Sequence, residues 1–421
     1  MISTVNKAAW YLLAGHRPGT VRRMRISAVI VSIGALVVAG YQSTGDDHNA
    51  AARPGRHTAT ENQPRAGDRL GREHPGNGGT RAHVGTVGRP PSDRAVDEAD
   101  DPPHDGRRFS GLSIPGNRLV YESDAAVDAD LDRVADLGAR WLRVDAAWAE
   151  IETEPGNFNW SALDRVVDAA GARNLSVLLV VGTSAQWARP PDAEWNYGPS
   201  TDDQQASFAR FAGALAERYR GQVTAYEVWN EPNLPGSWAP RPDPAAYVRL
   251  LRVTYAAIHD VDDAATVMSG GPGDDEGIDT MAWYEALYAG GLHSVCDAVA
   301  VHPYPNPPEA NSGLMATAHD VRELMNAHGD GGKRLWGTET GAPTGGSFSV
   351  SEQTQAQLLR GLYAVWTAMP EVGPLFYYTL DDFGGTDREN YFGLTRADGS
   401  LKPAFSELQN WIRHANATDS K

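Results

Sequence analysis

From residue 109 onward, short apolar runs alternate with amphipathic runs along the chain. The apolar runs, such as SVLLVVG at 176–182, indicate strands buried on both faces. The amphipathic runs place apolar residues at helical spacing, as at Phe208, Phe211 and Leu215. The predicted strands are 110–114, 141–145, 176–182, 224–230, 266–271, 298–304, 334–339 and 375–380. The predicted helices are 126–138, 160–173, 203–219, 243–259, 281–289, 317–328, 352–368 and 405–415.

This alternation predicts the fold class. Eight strand–helix units in about 310 residues match a (β/α)₈ barrel, the TIM barrel, in number and size. A doubly wound sheet is the alternative, but no glycine-rich phosphate loop follows the first predicted strand. We therefore expect an α/β protein whose residues 109–421 form a single catalytic (β/α)₈ domain.

The chain before residue 109 has a different character. Residues 1–25 carry basic side chains and no acidic ones, and the uncharged apolar segment 26–41 follows them. This order predicts a secretory signal peptide over 1–41, or a signal anchor, although the apolar segment is shorter than the roughly 20 residues of a spanning helix. Residues 42–108 contain no Phe, Tyr or Trp, which predicts a disordered linker. The expected location is secreted or extracytoplasmic and membrane-anchored, with membrane contact only through the N-terminal segment.

Charge and cysteine content narrow the function classes. Residues 109–421 hold 22 basic and 43 acidic residues, and so strong an acidic excess disfavours nucleic acid and anionic lipid as partners. It leaves neutral substrates such as sugars open. The single cysteine, Cys296, allows neither an intramolecular disulfide nor a thiolate metal cluster.

Polar residues at the predicted strand ends carry the candidate chemistry, because catalytic groups of such barrels project from the carboxyl ends of the strands. Glu231 ends the fourth strand in AYEVWNEPN, and Glu339 ends the seventh in RLWGTE. Two facing carboxyls can hydrolyse a glycoside: one protonates the leaving oxygen and the other attacks the anomeric carbon or activates water. A solvent-exposed charge is the alternative for either glutamate alone. The other polar residues at strand ends are Arg143, Asp145, Asn230, His302, Tyr304, Tyr378 and Asp381.

The motifs VWNEPN, HPY and LWGTETG together resemble the glycoside hydrolases of clan A. The segment that begins NEPNLPGSW is similar to family 39 and to the cellulase-like proteins of family 5, and the resemblance covers about residues 110–412. It implies a retaining enzyme that needs no metal or cofactor, with Glu231 as a protonated acid/base and Glu339 as an ionised nucleophile. The two carboxyl groups of a retaining pair lie about 5–5.5 Å apart.

The resemblance also implies roles for the polar neighbours. Asn230 would hydrogen-bond the 2-hydroxyl of the sugar, and Arg143 would pair with Glu339. His302 and Tyr304 would line the site, with Tyr304 donating a hydrogen bond to Glu339. Arg143 as a structural ion-pair partner and His302 as a core histidine are the alternatives.

Aromatic residues follow the second, third and fourth predicted strands. Trp148, Trp187 and Trp238, with Trp195 and Tyr197, are candidates for stacking on sugar rings or for packing the loops. Clan A members commonly place a tryptophan at the end of strand eight, whereas this chain reads LFYYTLDDFGG. Tyr378 or Phe383 is expected to take that place.

These patterns predict a retaining glycosidase whose partner is an extracellular or cell-envelope polysaccharide or oligosaccharide, with neutral sugars favoured over uronic acids. A non-catalytic carbohydrate-binding barrel and a transglycosylase that uses the same site are the alternatives. They make no prediction of sugar identity, linkage, exo or endo action, or oligomeric state.

Overall fold

The computed structural model describes residues 109–274, 276–305 and 315–418. The predicted signal segment, 1–41, and the predicted linker, 42–108, lie outside these ranges. Within them, no helix is both long enough and apolar enough to cross a membrane.

Eight parallel strands close into a barrel, each paired with the next and the last paired with the first. The predicted (β/α)₈ fold is therefore confirmed. The strands are β1 (Ser110–Ser113), β2 (Trp141–Ala147), β3 (Ser176–Gly182), β4 (Val223–Val228), β5 (Thr266–Ser269), β6 (Ala298–Val301), β7 (Arg334–Thr340) and β8 (Val372–Tyr378).

Helices connect the strands and cover the barrel. Their bounds are α1 (Gly116–Tyr121), α2 (Asp124–Leu137), α3 (Trp148–Ile151), α4 (Ser161–Ala172), α5 (Asp202–Arg218), α6 (Pro244–His259), α7 (Thr280–Ala289), α8 (Ala316–Ala327), α9 (Glu352–Ala368) and α10 (Pro403–Thr418). The short helices α1 and α3 were not predicted from the sequence, because neither is long enough to show a helical repeat.

Several helices begin with side-chain caps. Thr201 and Gln204 form a capping box at the start of α5, each satisfying a backbone N–H that the helix cannot. At α6, the Asp243 side chain accepts from the backbone N–H of Ala246, and Pro244 occupies the first turn. These signals explain why the predicted and observed starts of α5 and α6 agree within one residue.

The apolar core has two parts that follow the alternation of the strands. Seven side chains from β3 to β8 form an inner cluster: Leu178, Ala225, Met268, Ala298, Ala300, Trp336 and Phe376. Their strand neighbours, such as Val177 and Leu179, belong to the larger cluster between the sheet and the helices. The inner cluster fills the lower barrel, so polar side chains that point inward are confined to the carboxyl end of the strands, the mouth of the barrel.

Four strands end two or three residues before their predicted ends. β4, β5, β6 and β8 stop at Val228, Ser269, Val301 and Tyr378. The residues just beyond them leave the hydrogen-bonded ladder and form the mouth, and many of them are polar, glycine or proline. The predicted site residues Asn230, Glu231, His302 and Tyr304 lie in these segments.

Candidate active site

The turn that follows β4 presents Asn230 and Glu231 at the mouth of the barrel. Trp229 and Glu231 have left-handed backbone angles, φ 69° and 48°, a conformation that costs about 1–3 kcal/mol for such residues. Surrounding hydrogen bonds hold the turn: the Glu231 N–H donates to the Gly271 carbonyl at 3.0 Å, and Trp229 Nε1 donates to the Ser237 carbonyl at 2.7 Å. Strained backbone fixed in this way is common where a side chain must be aimed at a ligand.

Two glycines after β5 leave the space that this site needs. A Cβ at Gly273 would lie 2.8 Å from Oε1 of Glu231, and a Cβ at Gly271 would lie 2.4 Å from the His302 ring. Any larger residue at either position would displace a site side chain.

Glu231 and Glu339 face each other across the mouth. Both are buried, with 5% and 8% of their surface exposed. An oxygen of each, together with a His302 ring nitrogen, lies within 4.8 Å of the others. Oxygens this close are compatible with a retaining pair, whose carboxyl groups lie about 5–5.5 Å apart, whereas those of an inverting pair lie roughly 6.5–9.5 Å apart.

The surroundings of Glu339 favour its ionised form. Arg143 donates to one oxygen at 2.6 Å, and Tyr304 donates to the other at 2.8 Å. Burial by itself would raise the pKa of Glu339, but the nearby charges of His302 and Arg143 and these hydrogen bonds hold that pKa below its usual range. The predicted contacts of Arg143 and Tyr304 with Glu339 are therefore present.

His302 lies between the two glutamates. Its Nδ1 is 3.3 Å from Glu231 and 3.9 Å from Glu339. Burial by itself would lower the pKa of His302, but the charges of Glu339 and Glu231 and a hydrogen bond to Glu231 raise it above its usual value. The ring therefore contacts both carboxyls and is more than a core histidine.

Arg143, on β2, joins the site residues into one network. Besides Glu339, it donates to Asn230 Oδ1 at 2.7 Å and to Ser113 at 3.0 Å. Its Nε donates to Glu227 at 2.7 Å. Because Asn230 accepts from Arg143 through its oxygen, the NH₂ group of that amide is the part left to donate to a ligand.

Three polar residues of this network were missed in the sequence: Glu227, Ser113 and Thr338. Glu227 is completely buried, and Thr338 donates to it at 3.0 Å. The available signal was the position of Glu227 inside the apolar strand VTAYEV, where a carboxylate is unexpected unless it is paired.

Glu231, His302 and Glu339 could also offer three ligand atoms to a metal ion. The Arg143 guanidinium, 2.6 Å from Glu339, already supplies a positive charge there. A second cation would be repelled at that distance, so the arrangement fits carboxylate chemistry better than metal binding.

A cleft open to solvent adjoins the site. It extends from Asn230 past the ends of β2 and β3. Asp145, Glu150, Tyr121 and Trp195 are among the residues that line it. The cleft borders the catalytic centre through Asn230, so a chain of sugars could occupy both.

The structure corrects the predictions for two aromatic residues. Trp148 and Trp238 are completely buried. Trp148 donates to Glu152 at 2.6 Å and packs against Phe211, and Trp238 packs edge-on against Trp229 at 5.1 Å. Rings with no exposed surface cannot stack on a sugar, so the prediction that Trp148 and Trp238 bind substrate was wrong.

Two other aromatic residues, Trp187 and Tyr378, were predicted to contact substrate. Trp187 is partly exposed and donates to the Glu152 carbonyl at 2.9 Å. Tyr378, at the end of β8, is 6% exposed, and its pKa is raised by burial and by the nearby charge of Glu339. Their roles in sugar binding stay predictions. Asp381 instead forms ion pairs with Arg118 and Arg133, away from Glu339.

Comparison with protein families places this geometry among known enzymes. The family model described as cellulase (glycosyl hydrolase family 5) matches residues 101–414. No curated protein matches the sequence.

Many solved structures share the fold. A family 39 glycoside hydrolase from Bacteroides cellulosilyticus WH2 is 22% identical with a TM-score of 0.61, over 73% of this chain and 64% of that one. A GH5_18 protein from Streptomyces cattleya, in complex with GlcNAc, is 22% identical with a TM-score of 0.59, over 73% and 80%. An exo-β-1,4-mannosidase from Opitutaceae bacterium strain TAV5 is 17% identical with a TM-score of 0.55, over 74% and 60%. The chain thus spans less than two thirds of the family 39 and mannosidase chains, and at these identities the likeness shows the fold alone.

Proposed function

The chain belongs to the cellulase family, glycosyl hydrolase family 5, within clan A, and from this premise we propose that it is a retaining glycosidase that cleaves β-glycosidic bonds of a polysaccharide or oligosaccharide. The observation that carries the proposal is the facing pair of buried carboxyls, Glu231 and Glu339, with oxygens within 4.8 Å. A carboxyl pair this close fits direct attack on a sugar carbon between the two groups better than attack by an intervening water.

The reaction proceeds in two steps. Glu339 attacks the anomeric carbon while Glu231 gives its proton to the leaving glycosidic oxygen. The bond from Glu339 to the anomeric carbon makes a glycosyl–enzyme ester. Glu231 then takes a proton from water, the water oxygen bonds to the anomeric carbon, and Glu339 leaves as a carboxylate. Asn230, held by Arg143 at 2.7 Å, donates to the sugar 2-hydroxyl through its NH₂ group.

The two carboxyls are prepared differently for these roles. Arg143 and Tyr304 hydrogen-bond Glu339 and keep it ionised for attack. Glu231 has His302 at 3.3 Å instead of a guanidinium. His302 can exchange a hydrogen bond with Glu231 as that carboxyl loses and regains its proton.

Glu231→Gln and Glu339→Gln test the assignment. Reducing-end release from soluble β-glucan, β-mannan and β-xylan should fall by about 10²–10⁴-fold in Glu231→Gln and become undetectable in Glu339→Gln. Glu352→Gln is the matched control, because Glu352 is also paired with an arginine, Arg396, but lies on α9. An unchanged rate in either site variant removes that residue from the mechanism.

A 2-deoxy-2-fluoro glycosyl fluoride of the preferred sugar tests retention. The fluorine slows both steps, so a retaining enzyme accumulates the ester on Glu339, and intact mass with peptide mapping detects it. Label on Glu339 in the wild type and none in Glu339→Gln supports the proposal. An inverted first product by NMR, without label, contradicts it.

The same experiments separate the alternatives. A transglycosylase would form the ester but pass the sugar to an added oligosaccharide, because the two activities differ only in the acceptor. A carbohydrate-binding barrel would bind a polysaccharide and release no reducing ends.

The substrate class rests on the cleft and the charge. The cleft beside Asn230 suits a chain of sugars, and its lining residues Asp145 and Glu150 suit neutral sugars better than uronic acids. One similar structure is named an exo-β-1,4-mannosidase, which is why mannan belongs among the first substrates. We also propose that residues 1–41, which are basic and then apolar, direct the enzyme out of the cytoplasm. Extracellular and cell-envelope polymers of this kind would be its substrates.

A further inference from the structure

Glu227 is a completely buried carboxylate in the middle of the site, and the proposed mechanism does not use it. Its Oε2 accepts from Arg143 Nε at 2.7 Å. Its Oε1 accepts from the Gly271 N–H at 2.9 Å and from the Thr338 hydroxyl at 3.0 Å. From β4, Glu227 thus binds β2, β7 and the segment after β5.

Each of these three partners either contacts a catalytic group or directly precedes one in the chain. The Gly271 carbonyl accepts from the Glu231 N–H at 3.0 Å, so a single residue, Gly271, links Glu227 to the acid/base. Thr338 directly precedes Glu339. Arg143 donates to Glu339 at 2.6 Å and to Asn230 at 2.7 Å through its other nitrogens.

The contact between Glu227 and Arg143 fixes the orientation of the guanidinium. Nε binds Glu227 within β4, whereas the terminal nitrogens reach Glu339, Asn230 and Ser113. A planar group held by hydrogen bonds at Nε and at both ends cannot rotate without breaking several of them.

A purely structural explanation is weaker. Burying an ion pair seldom stabilises a protein more than apolar residues of the same size would, and the barrel interior below Glu227 is apolar. Glu227 has no exposed surface, so it does not touch a substrate. Its hydrogen-bond partners, in contrast, all lead to the reacting groups within one residue or one contact.

We propose that Glu227 is a positioning residue that sets the separation and orientation of Glu231 and Glu339 through Gly271, Thr338 and Arg143. The inference rests on the proposed glycosidase function. It assigns Glu227 no proton transfer and no contact with substrate.

Glu227→Gln removes the charge but keeps the shape. Glu227 accepts from three donors, and an amide NH₂ cannot accept, so either Arg143 or the pair of Gly271 and Thr338 loses its acceptor. A displacement of about 1 Å at a catalytic group can cost about 100-fold in rate. We therefore expect kcat to fall by about 10–100-fold, with KM changed far less.

The acid limb of the pH profile for kcat/KM gives a second readout, because the direction of its shift differs between two explanations. If Arg143 moves away from Glu339, the pKa of Glu339 rises and the acid limb shifts to higher pH. If Glu227 acts only as a negative charge and Arg143 stays, removal of that charge lowers the pKa of Glu339 and shifts the limb to lower pH.

The test uses the aryl β-glycoside that the wild type cleaves fastest among the glucoside, mannoside, xyloside and cellobioside. Asp382→Asn is the matched control, because Asp382 is a buried carboxylate that accepts from Lys402 and from the Gly393 N–H outside the site. Lower kcat with an acid limb at higher pH in Glu227→Gln, but not in Asp382→Asn, supports the proposal. A kcat within threefold of wild type, or a limb that is unmoved or at lower pH, overturns it.

Thr338→Val keeps the inference testable if Glu227→Gln does not fold. Valine preserves the side-chain shape and removes only the hydroxyl that donates to Glu227, a bond worth about 1 kcal/mol. In Thr338→Val we expect kcat to fall by roughly fivefold and the acid limb to shift to higher pH. Thr254→Val, at a buried threonine of α6, should change neither. Unchanged kinetics in Thr338→Val overturn the proposal. A wild type that cleaves no β-glycoside refutes the proposed function instead.

Discussion

At the scale of single residues, the site separates two chemically identical carboxyls by their neighbours. Glu339 receives hydrogen bonds from Arg143 and Tyr304, whereas Glu231 has His302 at 3.3 Å. The strongest donors thus lie on the proposed nucleophile. Different neighbours can give two carboxyls different protonation states at the same pH, which is what the proposed mechanism requires.

Tyr304→Phe tests this division. The Tyr304 hydroxyl stabilises ionised Glu339 and helps to hold the pKa of Glu339 low, so its loss should raise that pKa. The nucleophile then stays protonated to a higher pH, and the acid limb of kcat/KM should move up by about half a unit to one unit, the equivalent of a hydrogen bond of about 1 kcal/mol. We also expect kcat to fall several-fold at the optimum.

Tyr363→Phe is the control for a lost buried hydroxyl. Tyr363 donates to the Leu375 carbonyl at 2.9 Å, on the outer side of the barrel. The Tyr363→Phe variant should lose about as much stability as Tyr304→Phe does, and it should keep the wild-type pH profile. An acid limb that stays in place in Tyr304→Phe would mean that the hydroxyl does not act on the group that limits the reaction.

The residues that sequence could predict are those at strand ends. Glu231 and Glu339 follow apolar runs, and a barrel brings all such ends together. Glu227 was missed because a residue inside a strand gives no sign of whether it points into the barrel until the register is known. Its partners, Arg143 and Thr338, are distant in sequence and are brought to it only by closure of the sheet.

At the scale of elements, the short helix α3 carries much of the packing beside the site. Trp148, its first residue, contacts Trp187 edge-on at 5.5 Å and Phe208 of α5 at 5.6 Å. The loop after β2 is therefore anchored to α5 by an aromatic cluster. The cleft-lining residues Glu150 and Ile151 lie on the same helix.

Trp148→Ala should accordingly act on stability. Removal of a completely buried tryptophan costs about 3–5 kcal/mol, and urea unfolding should show that loss. Trp187→Ala, which removes a partly exposed ring from the same cluster, should cost less and should raise KM if Trp187 contacts sugar. A fully stable Trp148→Ala variant with only a raised KM would restore Trp148 as a binding residue.

Element boundaries show where sequence patterns are informative. The helix starts at α5 and α6 were predictable because Thr201 and Asp243 are capping residues. The burial of the tryptophans after the strands was not predictable, because an aromatic side chain in a loop can face either the core or the solvent with the same sequence. Only the tertiary contacts of Trp148 and Trp238 decide that they are buried.

At the scale of the whole molecule, acidic residues exceed basic ones by 43 to 22 in residues 109–421. Asp145 and Glu150 bring the same sign into the cleft. A field of one sign slows the approach of a polymer with the same charge. A carboxymethylated β-glucan should therefore be cleaved with a kcat/KM roughly tenfold or more below that of its neutral parent at low salt.

Salt should reduce this difference if it is electrostatic. The Debye length falls from about 30 Å at 0.01 M to about 3 Å at 1 M, so the carboxymethylated polymer should gain rate with salt while the neutral one changes little. The neutral polymer is the internal control for salt effects on the enzyme itself. Because carboxymethyl groups also add bulk, a hydroxyethylated β-glucan of equal substitution distinguishes size from charge. A ratio that does not change with salt would show that shape, and not the acidic surface, excludes the charged polymer.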